Sequence, residues 1–574
     1  MLTLPKGVFT MKEPTSMDYV RYRDYDELRE ALEYLERGYC DLIRLETIGT
    51  SHQGREILAV TVTDFSTAEA GNKPALYMDC NIHAGEVTTS ALALFLIGSL
   101  VENHGSDAAV DQLLSRYTLY VIPRIAVDGA EVYLKTPDII RSVPKTPGGW
   151  EEDSFITRSD LNGDGAITLM RVPHPEGEWK ISARDDRVMV RREPGELVGN
   201  FYKVYPEGHV RAQEEIPGQQ HGPVDTSWPI DLNRNYPYKW SPNRKGSGPY
   251  PISEPETRAQ VDFILGHPNI AAMLAFHTAE GAILKPVPSP PAQQGESEHD
   301  LHLFDVLAKF GERHTGYPEL PARSFSPNAG GTFPQWAYEH LGQLSYLVEM
   351  WDVARAAGIN IPREKRGQFY ESIAEDDEAQ MLRWLDTEFD GEGFVNWEPY
   401  DHPDLGAVEI GGWKLKFTRQ NPPLPYLLSE LRKNIPFILQ IMGALPRVQI
   451  VRTEVCNIDE NSVRVRAVVR NCGYLSTYLT EKALEVDAAR AVRVRLDVDE
   501  GIIVGSPTVE IGHLEGRSVH GDTEGRRGYN IYGNPLPRFE QIVEWTVRGV
   551  DSRRLTGRVT AGTPRAGRCE YPLG

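Results

Sequence analysis

Two residues that can bind a metal ion lie three positions apart in the segment NIHAGE, residues 81–86. His83 offers an imidazole nitrogen and Glu86 a carboxylate oxygen, and zinc accepts both kinds of ligand. A helical turn would bring the two side chains to one side of the chain. Zinc in an enzyme needs a third protein ligand and keeps one position open for water. Taken alone, this pair is better explained by a His and a Glu at the solvated start of a helix.

Three further polar clusters strengthen the case for a site. Asn233 and Arg234 lie in the motif DLNRNYP. His277 ends one apolar run and Glu349 lies near the end of another. A carboxylate inside an apolar run needs a partner or a function, because burying an unpaired charge is costly. Each cluster falls where a strand of the predicted sheet ends, and open α/β sheets build their sites at such ends.

The order of these motifs resembles that of the zinc carboxypeptidase family, typified by carboxypeptidase A. An HxxE motif is followed by an arginine beyond an Asp-Gly turn, the DLNRN motif, a strand-end histidine and a glutamate on the last core strand. The resemblance covers roughly residues 18–352, with long inserts similar to those of some bacterial members. It implies that His83, Glu86 and His277 hold one zinc ion per chain, the two-histidine, one-glutamate set of carboxypeptidase A.

The resemblance also implies roles for four other residues. Glu349 matches the catalytic glutamate, which takes a proton from water and returns it to the leaving amine. Arg141 matches the arginine that stabilises the oxyanion of the tetrahedral intermediate. Asn233 and Arg234 match the pair that binds the terminal carboxylate of the substrate, a task that suits the fork of a guanidinium group.

The chain departs from the family pattern at two places. Where some members carry an arginine inside the HxxE motif this chain has Gly85, so one substrate-binding cation is absent. Phe325 and Ser326 stand where a mobile tyrosine usually precedes a Gly-Gly segment. Tyr338 is then the candidate for a phenol donor.

The expected floor of the specificity pocket is residues 332–335, with Phe333 as the candidate substrate-binding side chain. This segment, TFPQ, has no acidic residue. We therefore expect a preference for an apolar or aromatic C-terminal residue over Lys or Arg.

A second metal motif occupies the segment SDLNGDGAIT, residues 159–168. Asp160, Asn162 and Asp164 copy the first half of a calcium-binding loop. Arg171 stands at the twelfth position, where such loops carry a bidentate glutamate. Either an Asx-rich turn or a weak calcium site completed by another segment explains this pattern, and the turn is the favoured interpretation.

The 574-residue chain has 61 basic and 82 acidic residues and a formal net charge of -21. Such a field repels nucleic acids and anionic membranes, so we expect neither as a partner. The five cysteines are scattered without CxxC spacing, which disfavours a disulfide framework. Because the sequence shows no signal peptide and no membrane-spanning run, we expect a cytoplasmic protein, or a secreted one if the sequence was trimmed.

Apolar runs that alternate with helical patterns predict an α/β fold with a mixed sheet flanked by helices. A hairpin is expected over residues 43–64, with Gly54 at its turn. Two polar stretches, residues 144–229 and 354–423, are expected as insertions, the second with a hairpin in GAVEIGGWKLKF. Further strands are expected over residues 74–82, 117–123, 270–276 and 344–350, and helices over residues 19–38, 86–102 and 426–443.

After Pro446 the sequence changes to short alternating runs separated by Gly, Asn, Asp and Pro. This texture predicts an all-β sandwich. We therefore expect a catalytic domain over residues 1–446 and a β-sandwich domain over residues 447–574.

These observations favour a zinc metallocarboxypeptidase that hydrolyses the C-terminal residue of peptides. One alternative is an amidohydrolase of the same fold that acts on acylated amino acids or cell-wall peptides. The other is a zinc-containing binding protein without catalytic activity. The substrate is therefore expected to be a peptide or a small acylated amino acid, and the sequence carries no signal for the oligomeric state.

Overall fold

The computed structural model describes residues 11–144, 156–210, 230–286, 298–326, 330–520 and 539–574. The predicted first insertion, residues 144–229, therefore lies partly outside the described residues. None of the helices within these ranges is long and apolar enough to cross a membrane.

The elements follow one another along the chain as strands β1–β24 and helices α1–α12. The strands are β1 (Ile43–Thr50), β2 (Glu56–Val62), β3 (Ala75–Cys80), β4 (Thr118–Ile122), β5 (Ile156–Arg158), β6 (Leu169–Pro173), β7 (Trp179–Ile181), β8 (Met189–Arg191), β9 (Tyr202–Pro206), β10 (Gly208–Val210), β11 (Ile270–Thr278), β12 (Ala282–Lys285), β13 (Glu319–Pro321), β14 (Leu344–Met350), β15 (Phe394–His402), β16 (Gly406–Trp413), β17 (Val448–Asp459), β18 (Ser462–Asn471), β19 (Arg493–Val498), β20 (Ile502–Val504), β21 (Thr508–Glu510), β22 (Glu540–Arg548), β23 (Gly557–Thr563) and β24 (Gly567–Leu573). The helices are α1 (Tyr25–Gly38), α2 (Val87–Asn103), α3 (Ala108–Arg116), α4 (Val127–Lys135), α5 (Pro255–Gly266), α6 (Glu298–Thr315), α7 (Phe333–Leu341), α8 (Val353–Ala356), α9 (Arg366–Phe369), α10 (Glu375–Phe389), α11 (Leu424–Ala444) and α12 (Glu481–Glu485).

An eight-stranded mixed sheet forms the centre of the molecule, in the order β1-β2-β4-β3-β11-β14-β12-β13. The four middle strands β4, β3, β11 and β14 are parallel. Strands β1 and β2 pair antiparallel with their neighbours, and β12 is antiparallel to β14 and parallel to the edge strand β13. The middle strands are almost wholly buried, as expected for parallel strands covered on both faces. The predicted mixed α/β sheet is thus confirmed.

Helices cover both faces of this sheet. On one face α1, α2, α6 and α11 pack against apolar side chains such as Met78, Leu274 and Val348. On the other face α5 and α7 pack against Tyr77 and Met273. The continuous apolar runs of the middle strands are explained by these two cores, because each face must lose its contact with water.

Most local predictions agree closely with the observed elements, but α1 begins at Tyr25 and not at residue 19, because Asp24 caps its first turn. The hairpin of β1 and β2 turns at Gly54, whose φ of 81° is a conformation that glycine adopts without strain. The last core strand, Leu344–Met350, has the predicted bounds. These elements could be predicted because the residues that define each of them, a turn glycine or an apolar run, are close together in the sequence.

The two predicted insertions contribute to one structure. Strands β6, β7, β8 and β9 of the first and β15 and β16 of the second form a six-stranded sheet in the order β15-β16-β6-β9-β7-β8. The prediction of a hairpin within GAVEIGGWKLKF was wrong, because its first eight residues form the single strand β16 and the partner is β15. The distant strand β6 pairs with the other edge of β16.

Arg171 connects the two insertions. It lies opposite Glu409 across the β6–β16 pair, and its Nε donates to a Glu409 carboxylate oxygen at 2.8 Å. The guanidinium carbon lies 4.6 Å from the ring centroid of Trp397. The residue at the twelfth position of the calcium-like loop therefore belongs to the sheet.

The loop itself forms an Asx-rich turn. The Asp160 carboxylate accepts hydrogen bonds from the backbone N–H groups of Gly163, Asp164 and Gly165. The buried Glu207 carboxylate accepts from the N–H groups of Leu161 and Thr168 at 2.6 and 2.8 Å. These acidic oxygens accept hydrogen bonds from the backbone of the loop, which is the pattern of an Asx-rich turn, and calcium binding there stays untested.

The C-terminal part contains two antiparallel four-stranded sheets, β17-β18-β22-β20 and β21-β19-β23-β24, which share one apolar core. This confirms the expected all-β character, while the domain boundary at residue 446 stays a prediction. The β part contacts the central part through Asp300, whose carboxylate accepts from the N–H groups of Glu481 and Lys482. The Thr480 hydroxyl donates to the Gly342 carbonyl at 2.7 Å.

Candidate active site

The carboxyl ends of three neighbouring parallel strands carry the candidate site. Strand β3 ends at Cys80 and leads through residues 81–86 into α2, which begins at Val87. His277 lies on β11 and is paired directly with Glu349 on β14. The sheet order β3-β11-β14 therefore brings the HxxE motif, the strand-end histidine and the strand-end glutamate to one edge.

His83, Glu86 and His277 form a compact group that could hold a metal ion. Their donor atoms all lie within 4.8 Å of one another, the sole group of three or more such residues among those that the structure describes. The Glu86 carboxylate lies 2.7 Å from His83 Nδ1 and 3.1 Å from His277 Nδ1. The two Nδ1 atoms are 3.2 Å apart.

The backbone of residues 81–86 holds the two motif residues in place. Asn81 adopts a φ of 55°, a region that asparagine tolerates better than most residues. Its side-chain amide donates to the carbonyls of His83 and Ala84. The Glu86 N–H donates to the His83 carbonyl at 3.1 Å, which closes the tight turn that directs both side chains to one side.

The electrostatics of this group fit a bound cation. Burial raises the pKa of Glu86, but His83 and His277 overcome this effect and lower the pKa to about 2. Burial lowers the pKa of His277, which favours the neutral imidazole that binds metals. Glu86 Oε2 is buried 3.1 Å from His277 Nδ1, but this contact does not have the geometry of a hydrogen bond. A dication coordinated by these atoms would satisfy that oxygen and offset the carboxylate charge.

Asp231 connects the metal-binding group to Arg141. One of its carboxylate oxygens lies 3.2 Å from His83 Nε2, and the other accepts from Arg141 Nε at 3.1 Å. Burial raises the pKa of Asp231, but Arg141, Arg234 and His83 together hold it well below its usual value. The sequence interpretation missed Asp231, although it is the first residue of the DLNRN motif.

Replacing Asp231 by asparagine is expected to lower the affinity for zinc about 10- to 100-fold, because a carboxylate behind a ligating histidine orients the ring and raises its basicity. Competition with a chromogenic chelator measures this change. Asp262→Asn, on the exposed face of α5, is the matched control and should bind zinc as the wild type does. Unchanged affinity in Asp231→Asn would contradict the positioning role.

The residues of the candidate site lie in two segments that match a known protein family. A sequence model of the family described as zinc carboxypeptidase matches residues 28–166 and 204–375, more than half of the chain. The chain belongs to the zinc carboxypeptidase family. Residues 447–572 match a domain of unknown function.

Individual zinc carboxypeptidases are distant relatives of this chain. Carboxypeptidase A2 of Rattus norvegicus is 23% identical over 345 residues, 59% of this chain and 64% of that protein. Carboxypeptidase B of Homo sapiens is 24% identical over 351 residues, 59% of this chain and 66% of that protein. The solved structure of bovine thrombin-activatable fibrinolysis inhibitor with tick carboxypeptidase inhibitor covers 74% of this chain and 97% of its own, with 17% identity and a TM-score of 0.41. The chain thus spans slightly less than two thirds of the two curated relatives.

Glu349 and Arg141 lie next to the His83, Glu86 and His277 group. Burial and the nearby carboxylates Glu86 and Glu280 raise the pKa of Glu349 well above its usual value, and the charge of Arg141 opposes them. Arg141 Nη1 lies 3.8 Å from a Glu86 oxygen. The Arg141 carbonyl accepts from the Ala84 N–H, which ties this segment to the HxxE turn.

Asn233 and Arg234 lie in a short 3-10 turn, Leu232–Arg234, that is capped by Asp231. The Asn233 side-chain oxygen accepts a hydrogen bond from the Phe333 N–H at 2.8 Å. The amide nitrogen of Asn233 therefore points away from Phe333. The Phe333 side chain is buried in the core among Tyr77, Tyr236 and Trp336. Its backbone positions Asn233, whereas its ring packs in the core, and a substrate contact by this side chain stays a prediction.

Tyr338 does not provide the phenol of the family pattern that this chain lacks at residues 325 and 326. Its side chain is buried, and its hydroxyl donates to Asp300 at 3.0 Å, on the face of the sheet where α6 packs. The suggestion that Tyr338 serves as a donor was therefore wrong. Residues 327–329, next to the expected tyrosine position, lie outside the described residues.

Gln420, from the second insertion, covers Gly85 inside the HxxE motif. A Cβ atom built on Gly85 would lie 2.5 Å from Gln420 Nε2 and 2.6 Å from Oε1. Glycine at position 85 thus leaves the space that the Gln420 amide occupies. No local pattern in the sequence indicates this contact, because the two residues are more than 300 positions apart.

Proposed function

We propose that this chain is a zinc metallocarboxypeptidase that removes the C-terminal residue of a peptide. The observation that carries the proposal is the direct pairing of Glu349 with His277 across β11 and β14. This pairing places a carboxyl group next to the buried His-Glu-His group. Because three other residues can serve as metal ligands, Glu349 is left to act as the general base. The family relation supports the same reaction class.

His83, Glu86 and His277 would hold the zinc ion. Bound zinc would supply a Lewis acid for the scissile carbonyl and for water, and its charge would offset that of Glu86 beside Glu349. Glu349 would take a proton from the attacking water and transfer it to the nitrogen of the leaving amino acid. Arg141 would stabilise the oxyanion that forms at the carbonyl carbon.

Asn233 and Arg234 would bind the terminal carboxylate of the substrate. The hydrogen bond from Phe333 N–H to Asn233 orients the amide so that its nitrogen can donate to an anion. The Arg234 side chain donates to the Asn233 carbonyl at 2.7 Å and is half-buried beside Asp231. A guanidinium held in this way can offer parallel hydrogen bonds to a carboxylate.

Arg234→Ala is expected to raise KM by about 10- to 100-fold with little change in kcat, because a charged hydrogen bond contributes about 1.5–3 kcal/mol and this one binds substrate and transition state alike. Steady-state kinetics on an N-blocked dipeptide measure the effect. The matched control is the same dipeptide with an amidated C-terminus, on which wild type and variant should act equally slowly. A loss confined to kcat would contradict carboxylate binding.

The proposed function is tested with zinc analysis and mass spectrometry. The wild type is incubated with N-blocked peptides, N-acyl amino acids and cell-wall peptides, and its zinc content is counted in the same preparation. We expect one zinc per chain and loss of single C-terminal residues from the peptides. Turnover of acyl amino acids or cell-wall peptides alone would favour the amidohydrolase, and zinc without any turnover would favour a binding protein.

A further inference from the structure

We infer that Gln420 is a specificity-determining residue that binds an uncharged amide group on the acyl side of the scissile bond. The inference rests on the proposed function and narrows its substrate class. The preferred substrate is then a peptide whose penultimate residue is itself N-acylated, as in a polypeptide chain. A free dipeptide or an amino acid with a plain hydrocarbon acyl group would lack the bound amide.

The position of Gln420 is fixed by the segment that carries it. The Asn421 amide donates to the Gly85 carbonyl at 2.7 Å, and its oxygen accepts from both the N–H and the hydroxyl of Thr88. Lys416 donates to the carbonyls of Tyr133 and Thr136 at the end of α4. These bonds fasten one end of residues 416–421 to the HxxE turn and the start of α2, and the other end to α4.

Two further contacts hold the middle of the segment. The carbonyl of Thr418 accepts from the indole N–H of Trp351, two residues beyond Glu349. Arg419 donates to both carboxylate oxygens of Glu378 on α10. The backbone at Gln420 is thus held from several sides, and a ligand would meet a preorganised side chain.

The Gln420 amide is available to a ligand. It is half-buried against Gly85. In the sequence, Gly85 lies between His83 and Glu86, the two candidate ligands of the HxxE motif. Within the part of the chain that the structure describes, its nitrogen and oxygen make no hydrogen bond to protein, although the side-chain groups of Arg419 and Asn421 on either side are bonded. A polar side chain that lies against the HxxE turn without a protein partner can form a hydrogen bond with a ligand bound there.

The chemistry of the side chain selects the ligand. A carboxamide offers N–H donors and a carbonyl acceptor, and a peptide group offers the complementary acceptor and donor. Neither a carboxylate nor an ammonium group would use both ends of the amide. The geometry therefore favours a neutral peptide unit over a charged group next to the residue that is attacked.

The test compares wild type with Gln420→Met, a variant of similar volume that still covers Gly85 and cannot form the two hydrogen bonds. The substrate pair is benzoyl-Gly-Phe and 4-phenylbutanoyl-Phe, in which methylene groups replace the acyl-side amide. We expect kcat/KM of the variant to fall about tenfold for benzoyl-Gly-Phe, the effect of about one lost hydrogen bond or slightly more, and to stay unchanged for the analogue. Lys414→Met, an exposed change just before the segment, should leave both values unchanged.

A binding measurement separates this inference from the proposed function. Calorimetry in the Glu349→Gln background gives the Kd of both compounds without turnover, with and without Gln420→Met. A preference for benzoyl-Gly-Phe that disappears in Gln420→Met supports the inference even if the wild type hydrolyses neither compound. Equal losses for both compounds, no loss, or no binding of either would overturn it.

Discussion

Glu349→Gln is expected to lower kcat by about 100- to 10,000-fold, the range that a positioned general base contributes. The amide cannot take a proton from water, yet it has nearly the size of the carboxyl group. Because Glu349 pairs with His277 through the backbone of β14, the substitution should leave the strand and the metal-binding group intact. Stopped assays on N-blocked dipeptides measure kcat over this range.

Zinc content is the control that gives this result its meaning. The variant should retain one zinc per chain and bind a substrate analogue with a Kd close to that of wild type. Loss of zinc together with loss of turnover would show a structural effect instead of a missing base. A variant that keeps its zinc and at least a tenth of wild-type kcat would contradict the role of Glu349.

His277→Ala is expected to abolish both zinc binding and turnover. The substitution removes one of three ligands and leaves the buried Glu86 carboxylate with His83 as its remaining imidazole neighbour. Zinc sites need all their ligands for tight binding, so the purified variant should contain no zinc after gel filtration. In the metal-free state its free energy of unfolding should fall by about 1–3 kcal/mol, the cost of leaving a buried polar group without its partner.

His340→Ala is the matched control, because His340 is an exposed histidine on α7. It should bind zinc, turn over substrate and unfold like the wild type. Metal analysis, thermal unfolding after chelation and the peptide assay compare the two variants. Turnover by a metal-free, folded His277→Ala protein would contradict the zinc mechanism as a whole.

The grouping of His83, Glu86 and His277 could be predicted because the family resemblance implied the set and a local signal placed each residue. His277 and Glu349 end or nearly end apolar runs that form adjacent parallel strands, and the HxxE motif follows a third strand. Parallel strands present their carboxyl ends at one edge of the sheet, so residues at these ends are expected to lie close together. This expectation needs only the parallel arrangement of β3, β11 and β14, and no knowledge of their register.

Long-range contacts could not be predicted in the same way. The pairing of β6 with β16 depends on edges that form only after both insertions have folded, and alternation within each strand says nothing about its partner. Asp231 and Gln420 reach the site across distances in sequence that no local pattern reports. Tyr338 was misjudged because residue type alone does not show which face of the sheet a side chain occupies.

The sheet shared by the two insertions imposes an order on biosynthesis. Arg171 meets Glu409 only after another 238 residues have been added, which takes roughly 10–50 s at the usual 5–20 residues per second on the ribosome. During this interval β6 exposes an unpaired edge, a feature that invites aggregation or chaperone binding. The nascent chain would hold His83, Glu86, His277 and Glu349 before residues 416–421 appear. The proposed metal-binding group is therefore synthesised before the segment that is proposed to select the peptide.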